Sequence, residues 1–210
     1  MPKPFFEKIV FLEGVGKNFL EHEYFEKWHE YICKEYSPPK RPIALFIPCY
    51  WGKPYDQSYI FKEIEKNVLN ILKPDEVHFI VISSAGVVPR EFWHETVFKA
   101  YDWDPNFETE EIKEQYVKVT TQRLKNYFQA YKENYKIFAS YLRLNSESFK
   151  SLQQAIKDFN IHLYFSPTIE TQAELQQIKF EDVDLLLIQP EALQDLNEML
   201  SELKNKLTLL

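Results

Sequence analysis

Apolar residues arrive in two rhythms along this chain. One rhythm is the short continuous run, seen in Pro42-Ile43-Ala44-Leu45-Phe46-Ile47-Pro48 and again from Glu76 to Ile82. Runs of this length, bounded by prolines or polar turns, predict strands buried on both faces. Segments 135–142, 161–165 and 183–188 predict a third, a fourth and a fifth strand. The run Lys8–Leu12, ended by Gly14 and Gly16, predicts a peripheral one. The other rhythm steps by three and four. Leu20, Tyr24, Phe25, Trp28, Tyr31 and Ile32 recur at that spacing across residues 19–36, with Asn18 as the expected cap, and Ser37-Pro38-Pro39 ends the helix. Ile60, Ile64, Val68 and Ile71 mark a second helix over residues 59–72, stopped by Pro74. Further helices are expected at 111–131, 147–159, 171–177 and 191–207.

Strands that alternate with helices predict an α/β protein in three layers, α/β/α, around a mostly parallel central sheet of four to five strands. The sequence shows no repeat, low-complexity tract or dividing linker. Residues 1–210 are therefore expected to form one α/β domain, with 1–17 a peripheral N-terminal segment and 191–210 a C-terminal helix. Open parallel sheets bind ligands outside the carboxyl ends of their strands. Two loops are expected to leave such ends: Pro48-Cys49-Tyr50-Trp51-Gly52-Lys53-Pro54-Tyr55-Asp56-Gln57-Ser58, and Ser83 to Arg90.

Charge and composition narrow the chemistry. The formal net charge is −7, which disfavours tight nucleic-acid binding by the chain alone, because phosphate contacts need Lys and Arg. No DNA partner is expected. Cys33 and Cys49 form neither a disulfide framework nor a CxxC metal site, which suits a reducing, cytoplasmic setting. The five histidines show no metal-ligand spacing, so no metal or other cofactor is expected. No apolar run approaches the ~18 residues of a membrane span. Nucleotide-binding glycine motifs and the GxSxG elbow are absent. Glycines number only 4, which gives weight to Gly52 and Gly86, where backbone can come close to a ligand.

The first loop is rich in candidate groups. Cys49 follows a buried strand, with Lys53 four residues on and a helix start beyond. A thiol near a cation or a helix N-terminus becomes a nucleophile, whereas a thiol closing a strand is a small buried residue; both readings stand for Cys49. Pro48 ends the strand and Pro54 sets the turn. Tyr55 offers a ring and a hydroxyl, and Ser58 a helix cap or a ligand contact. In the second loop Arg90 and Glu91 form an ion pair or an anchor for substrate. His94 lies near that loop.

These loops resemble a known family. Pro48-Cys49, Lys53-Pro54-Tyr55 and Ser58 are similar to the PC-x3-KPY-x2-S-x2-H signature of archaeosine synthase, a paralogue of the archaeal tRNA-guanine transglycosylases. Gly86-Val87-Val88-Pro89-Arg90-Glu91 followed by Tyr101-Asp102 is similar to that family's GxVPRE…YD segment. Phe61 stands where the signature ends in His. The resemblance implies a uracil-DNA-glycosylase-like fold and chemistry at the nitrile of 7-cyano-7-deazaguanine, with an amine such as lysine added across it. It implies catalytic roles for Cys49 and Lys53. It further implies contacts to substrate from Pro48, Gly52, Tyr55, Ser58, Gly86, Arg90, Glu91 and Asp102. The expected partner is tRNA or a free deazaguanine base, with a separate transglycosylase or RNA-binding chain presenting the tRNA. The alternative is a non-catalytic nucleobase-binding or assembly subunit.

Overall fold

The computed structural model describes residues 2–50, 52–180 and 182–209. Its elements, in chain order, begin with β1 (Leu12–Glu13), α1 (Lys17–Leu20), α2 (Glu23–Lys34), β2 (Ile43–Pro48), α3 (Tyr59–Ile71), β3 (Val77–Ser83) and β4 (Gly86–Pro89). They continue with α4 (Thr96–Lys99), β5 (Tyr101–Asp102), α5 (Glu110–Tyr131), β6 (Ile137–Tyr141), α6 (Glu147–Lys157), β7 (Leu163–Ser166), α7 (Ile169–Leu175) and α8 (Pro190–Leu207).

The central sheet has five strands in the order β4-β3-β2-β6-β7. Pairing of β2 with β3, β2 with β6 and β6 with β7 is parallel, and only β4 runs against its neighbour. Every residue of β2, β3 and β6 is buried. That matches their continuous apolar sequences, because a strand covered on both faces needs no polar alternation. Helices supply the cover, so the sheet is the middle of three layers. A separate pair, β1 with β5, sits beside it with Leu12 opposite Tyr101 and Glu13 opposite Asp102.

Three expectations need correcting. The apolar run at 183–188 is not a strand. Val183–Ile188 winds as a 3-10 helix, capped by Asp182, whose side chain accepts from the Asp184 amide, and it buries Leu186 and Leu187. The tighter turn buries Leu186 and Leu187 while Val183 stays exposed and Asp184 accepts from Arg143, so the segment needs no period-two pairing. The fifth strand is instead β4, inside the stretch read as a loop. Finally, the helix expected over residues 19–36 is two helices. The chain breaks at Glu21-His22, and His22 Nδ1 accepts from the Tyr24 amide to start α2. Asn18 is inside α1, whose cap position is Gly16. None of the helices among the described residues is long and apolar enough to cross a membrane.

Candidate functional site at the carboxyl ends of the sheet

Pro48 lies opposite Ile82, so β2 and β3 end level with one another, and β6 ends beside them. Beyond these ends opens a cavity of about 670 Å³. Its floor is Pro48, Cys49 and Ile82. One wall is the segment Tyr101–Asn106, another the turn after β6 with Arg143 and Ser146, and a third the start of the 3-10 helix at Asp182–Asp184.

Cys49 is half-buried at the floor. Its Sγ lies 3.3 Å from the Tyr101 hydroxyl, which lies 2.8 Å from the Tyr55 hydroxyl. Tyr55 donates to Ser83 Oγ at 3.4 Å, and Ser83 donates to the Gly86 carbonyl at 3.3 Å. The far end of this chain sets its direction. With Ser83 and Tyr55 both donating away from the cavity, Tyr101 donates to Tyr55, and the single hydrogen of the Cys49 thiol has two acceptors, the Tyr101 hydroxyl at 3.3 Å and the Tyr50 carbonyl oxygen at 3.7 Å. The longest link, Tyr55 to Ser83, is the weakest. When Cys49 loses its proton, Tyr101 can turn its hydrogen to the sulfur and Tyr55 can turn its own to Tyr101, at the cost of that weak link only. Burial holds both tyrosines above their ordinary range, and a negative charge on Cys49, once it loses its proton, adds to the effect. They therefore stay protonated and serve as donors.

Lys53 meets the same ring from its face. Nζ sits 4.2 Å from the Tyr101 centroid and 3.4 Å from the Tyr50 carbonyl oxygen. Tyr101 is thus a common support, with the thiol at its hydroxyl and the ammonium over its π face. Its ring is fixed by edge contacts with Phe19 and Phe25 at 6.0 and 5.6 Å. Tyr101 carried no assigned role in the sequence. The signal was present in the Tyr101-Asp102 pair, but nothing local shows that it packs against a loop 50 residues earlier.

The remaining expected site residues divide. Pro48, Cys49, Lys53 and Asp102 line the cavity. Tyr55 has no exposed surface; it backs Tyr101 and cannot stack on a ligand from there. Gly52 approaches its own loop: a Cβ added to it would meet Ser58 Cα at 3.0 Å and the Ser58 amide nitrogen at 3.2 Å. Ser58 is buried at the cap position of α3, with its side chain making no cap bond. Trp51 lies outside the described residues.

The second loop does not reach the cavity with its charged end. After a two-residue turn at Ser84-Ala85 the chain reverses as β4, so that Val88 pairs with Val81 and Pro89 with Ile80. Gly86 is needed for its backbone, at φ +134°, with Arg123 packed beside it. Arg90 and Glu91 are carried back toward the amino ends of the strands. Arg90 pairs with Glu65 at 2.5 Å and lies over the Phe61, Phe79 and Trp93 rings. Glu91 accepts from His78 at 3.0 Å and from the Tyr36 hydroxyl at 2.8 Å. A carboxylate can only accept, so His78 carries a proton on Nε2, and its Nδ1 lies 2.7 Å from the Tyr135 hydroxyl. His94 contacts Asp56 at 2.8 Å, away from the cavity. Phe61 is buried against Phe79 and Trp93 at 5.4 and 5.0 Å. The signature's final position therefore does not line the cavity.

The fold and site define a three-layer α/β protein with a thiol, an ammonium and a tyrosine hydroxyl gathered at the strand ends. A family model described as "Domain of unknown function (DUF5591)" matches residues 25–179, and the chain belongs to that family. Among solved structures it is similar to AF0587, a protein of unknown function. The identity is 18% and the TM-score 0.51, over 82% of this chain and 49% of that one. This chain spans about half the length of AF0587, and the likeness is one of fold. The comparison with curated proteins found no match.

Proposed function

We propose that the strand-end cavity binds a 7-deazaguanine base bearing a nitrile and adds an amine across it, as the resemblance to archaeosine synthase suggests. The observation that carries this reading is the convergence of Cys49 Sγ and Lys53 Nζ on Tyr101 in a cavity large enough for a heterocycle. A nitrile carbon is electrophilic, and a thiolate is the side-chain nucleophile suited to it. Attack by Cys49 forms an S–C bond and opens one π bond of the nitrile. The nitrogen takes a proton from Lys53, the nearest ammonium on the wall, the proton given up by the Cys49 thiol restores that ammonium, and a thioimidate results. The amine then attacks the same carbon, the C–S bond breaks, the proton lost by the amine passes to the departing sulfur, and an amidine leaves with Cys49 restored as a thiol. No oxidant or reductant is needed. Tyr101 contributes a hydrogen bond to the sulfur both when it attacks and when it departs.

Phe61 gives little support to a purely non-catalytic role, because that position is in the core and its side chain takes no part in the cavity. The test is amidine formation from 7-cyano-7-deazaguanine, as the free base and in tRNA, with lysine as the amine and with Cys49→Ala as the control. Turnover abolished in Cys49→Ala is expected. Turnover by the variant at the wild-type rate would remove Cys49 from the mechanism. Lack of turnover by the wild type, together with co-purification of a separate tRNA-modifying enzyme, would favour the assembly-subunit reading.

A further inference from the structure

The cavity is acidic. Asp102, Asp104, Glu108, Glu147, Asp182 and Asp184 line it, against two cations, Lys53 and Arg143. Both cations are already engaged: Arg143 Nε donates to Asp184 at 2.6 Å, and Lys53 is held over Tyr101. The acids crowd one another. Burial raises Glu108 and a neighbouring charge at Glu147 adds to it, although Trp103 Nε1 donates to Glu108 at 2.5 Å. Burial likewise raises Asp184, against the pull of Arg143, and Asp182 adds to the rise. A second feature points to an uncharged ligand. Tyr50 lines the same cavity, is only 3% exposed, and its hydroxyl has no hydrogen-bond partner among the described residues. A buried hydroxyl left in that state is costly unless something in the cavity pairs with it. Burial keeps Tyr50 protonated, and the charges of Asp184 and Asp182 reinforce this, so it can donate as well as accept.

We infer that the cavity selects a heterocycle free of phosphate, a free base or nucleoside, over a nucleotide or a base still in a polynucleotide, with the Tyr50 hydroxyl as its hydrogen-bond partner. This rests on the nitrile reading of the same site. A phosphate entering with the base would meet a local excess of negative charge within about a Debye length, six carboxylates against two cations along the cavity wall. That repulsion corresponds to roughly a tenfold or greater penalty at low salt.

Calorimetric titration with 7-cyano-7-deazaguanine, its nucleoside, its 5′-monophosphate and an oligoribonucleotide containing it tests the inference. The base and nucleoside are expected to bind at least about tenfold more tightly than the two phosphate-bearing ligands. The gap should narrow as salt is raised and in the Asp104→Asn/Glu147→Gln double variant, since Asn retains the side-chain oxygen with which Asp104 accepts from the Asn106 amide at 2.9 Å. Tyr50→Phe should weaken base binding several-fold. Equal or tighter binding of the monophosphate or the oligoribonucleotide would overturn this inference and leave the nitrile chemistry standing. Binding of none of the four would overturn both.

Discussion

Replacing Tyr101 by Phe isolates the contribution of one hydroxyl to both fold and chemistry. The substitution keeps the ring, hence the aromatic packing and the seat for Lys53. It removes the 2.8 Å bond to Tyr55 and the 3.3 Å bond to Cys49. Tyr55, with no exposed surface, is left with only its 3.4 Å contact to Ser83. Losing one good buried bond and weakening the satisfaction of its partner should cost about 1–3 kcal/mol in urea denaturation. The chemical effect is separate. Once Cys49 is a thiolate it needs a donor. Its other contact is the Tyr50 carbonyl at 3.7 Å, which can only accept. A hydrogen bond to a charged group contributes about 1.5–3 kcal/mol, and part of that is offset because Tyr101 turns away from Tyr55 to make it. The remainder corresponds to roughly a tenfold slower reaction at the sulfur, since about 1.4 kcal/mol is a factor of ten. Iodoacetamide alkylation at roughly pH 8 reads this out on one thiol, because burial pushes Cys33 up to about 12 and leaves it silent. The expected result is about tenfold slower labelling of Cys49 in Tyr101→Phe, with the fold retained. Labelling as fast as wild type would show that the hydroxyl does not support the sulfur, and the proposed role of Tyr101 would fall.

Other expectations follow from the same geometry. Gly52→Ala presses a methyl onto the Ser58 backbone at 3.0–3.2 Å, so a loss of about 1–3 kcal/mol is expected in chemical denaturation, and unchanged stability would show that the loop yields freely. Lys53→Met should leave stability within about 1 kcal/mol, the size of an exposed cation–π contact, while amidine formation falls by roughly a hundredfold or more; retained turnover would exclude Lys53 as the proton source. Glu91 offers a pH test. Burial pushes its carboxyl up, but the His78 contact and the Tyr36 hydroxyl more than reverse this, to about 2. A depressed acid contributes stability above its unfolded value of about 4.3, and loses it as pH falls toward 2. Because the side chain is 34% exposed, solvent discounts the contribution to about 1–2 kcal/mol. Between roughly pH 5 and 3, wild-type stability should therefore fall more steeply than that of Glu91→Gln, and parallel curves would contradict the His78–Glu91 network.

The sheet was legible where burial imposes its own pattern. β2, β3 and β6 are covered on both faces, and their uninterrupted apolar runs say so. β7 was also found, although it is a partly exposed edge strand. β4 was hidden because Gly86-Val87-Val88-Pro89 is only four residues long and looks like the end of a turn. Its strand state comes from pairing with β3, which no local signal carries. The run Val183–Ile188 misled in the opposite sense. Three consecutive leucines satisfy a strand as well as a 3-10 turn, and packing against α3 and α8 decided between them. The site shows the same division. Pro48, Cys49 and Lys53 could be placed because they follow a strand whose direction was known. Arg90 and Glu91 were expected at the same end because the hairpin that carries them away was not seen. Tyr101 and Tyr50 acquire their importance only from tertiary contact, one beneath the thiol and the other in the wall.

The central claim is that Cys49 faces the reacting carbon in the strand-end cavity. The most direct measurement is intact-protein mass spectrometry after incubation with 7-cyano-7-deazaguanine in the absence of amine, followed by peptide mapping. The account predicts a mass increase equal to one molecule of the base, located on the peptide containing Cys49, absent from Cys49→Ala, and discharged when lysine is added. An adduct mapped to Cys33, or no adduct under conditions where the wild-type protein forms amidine, would contradict it.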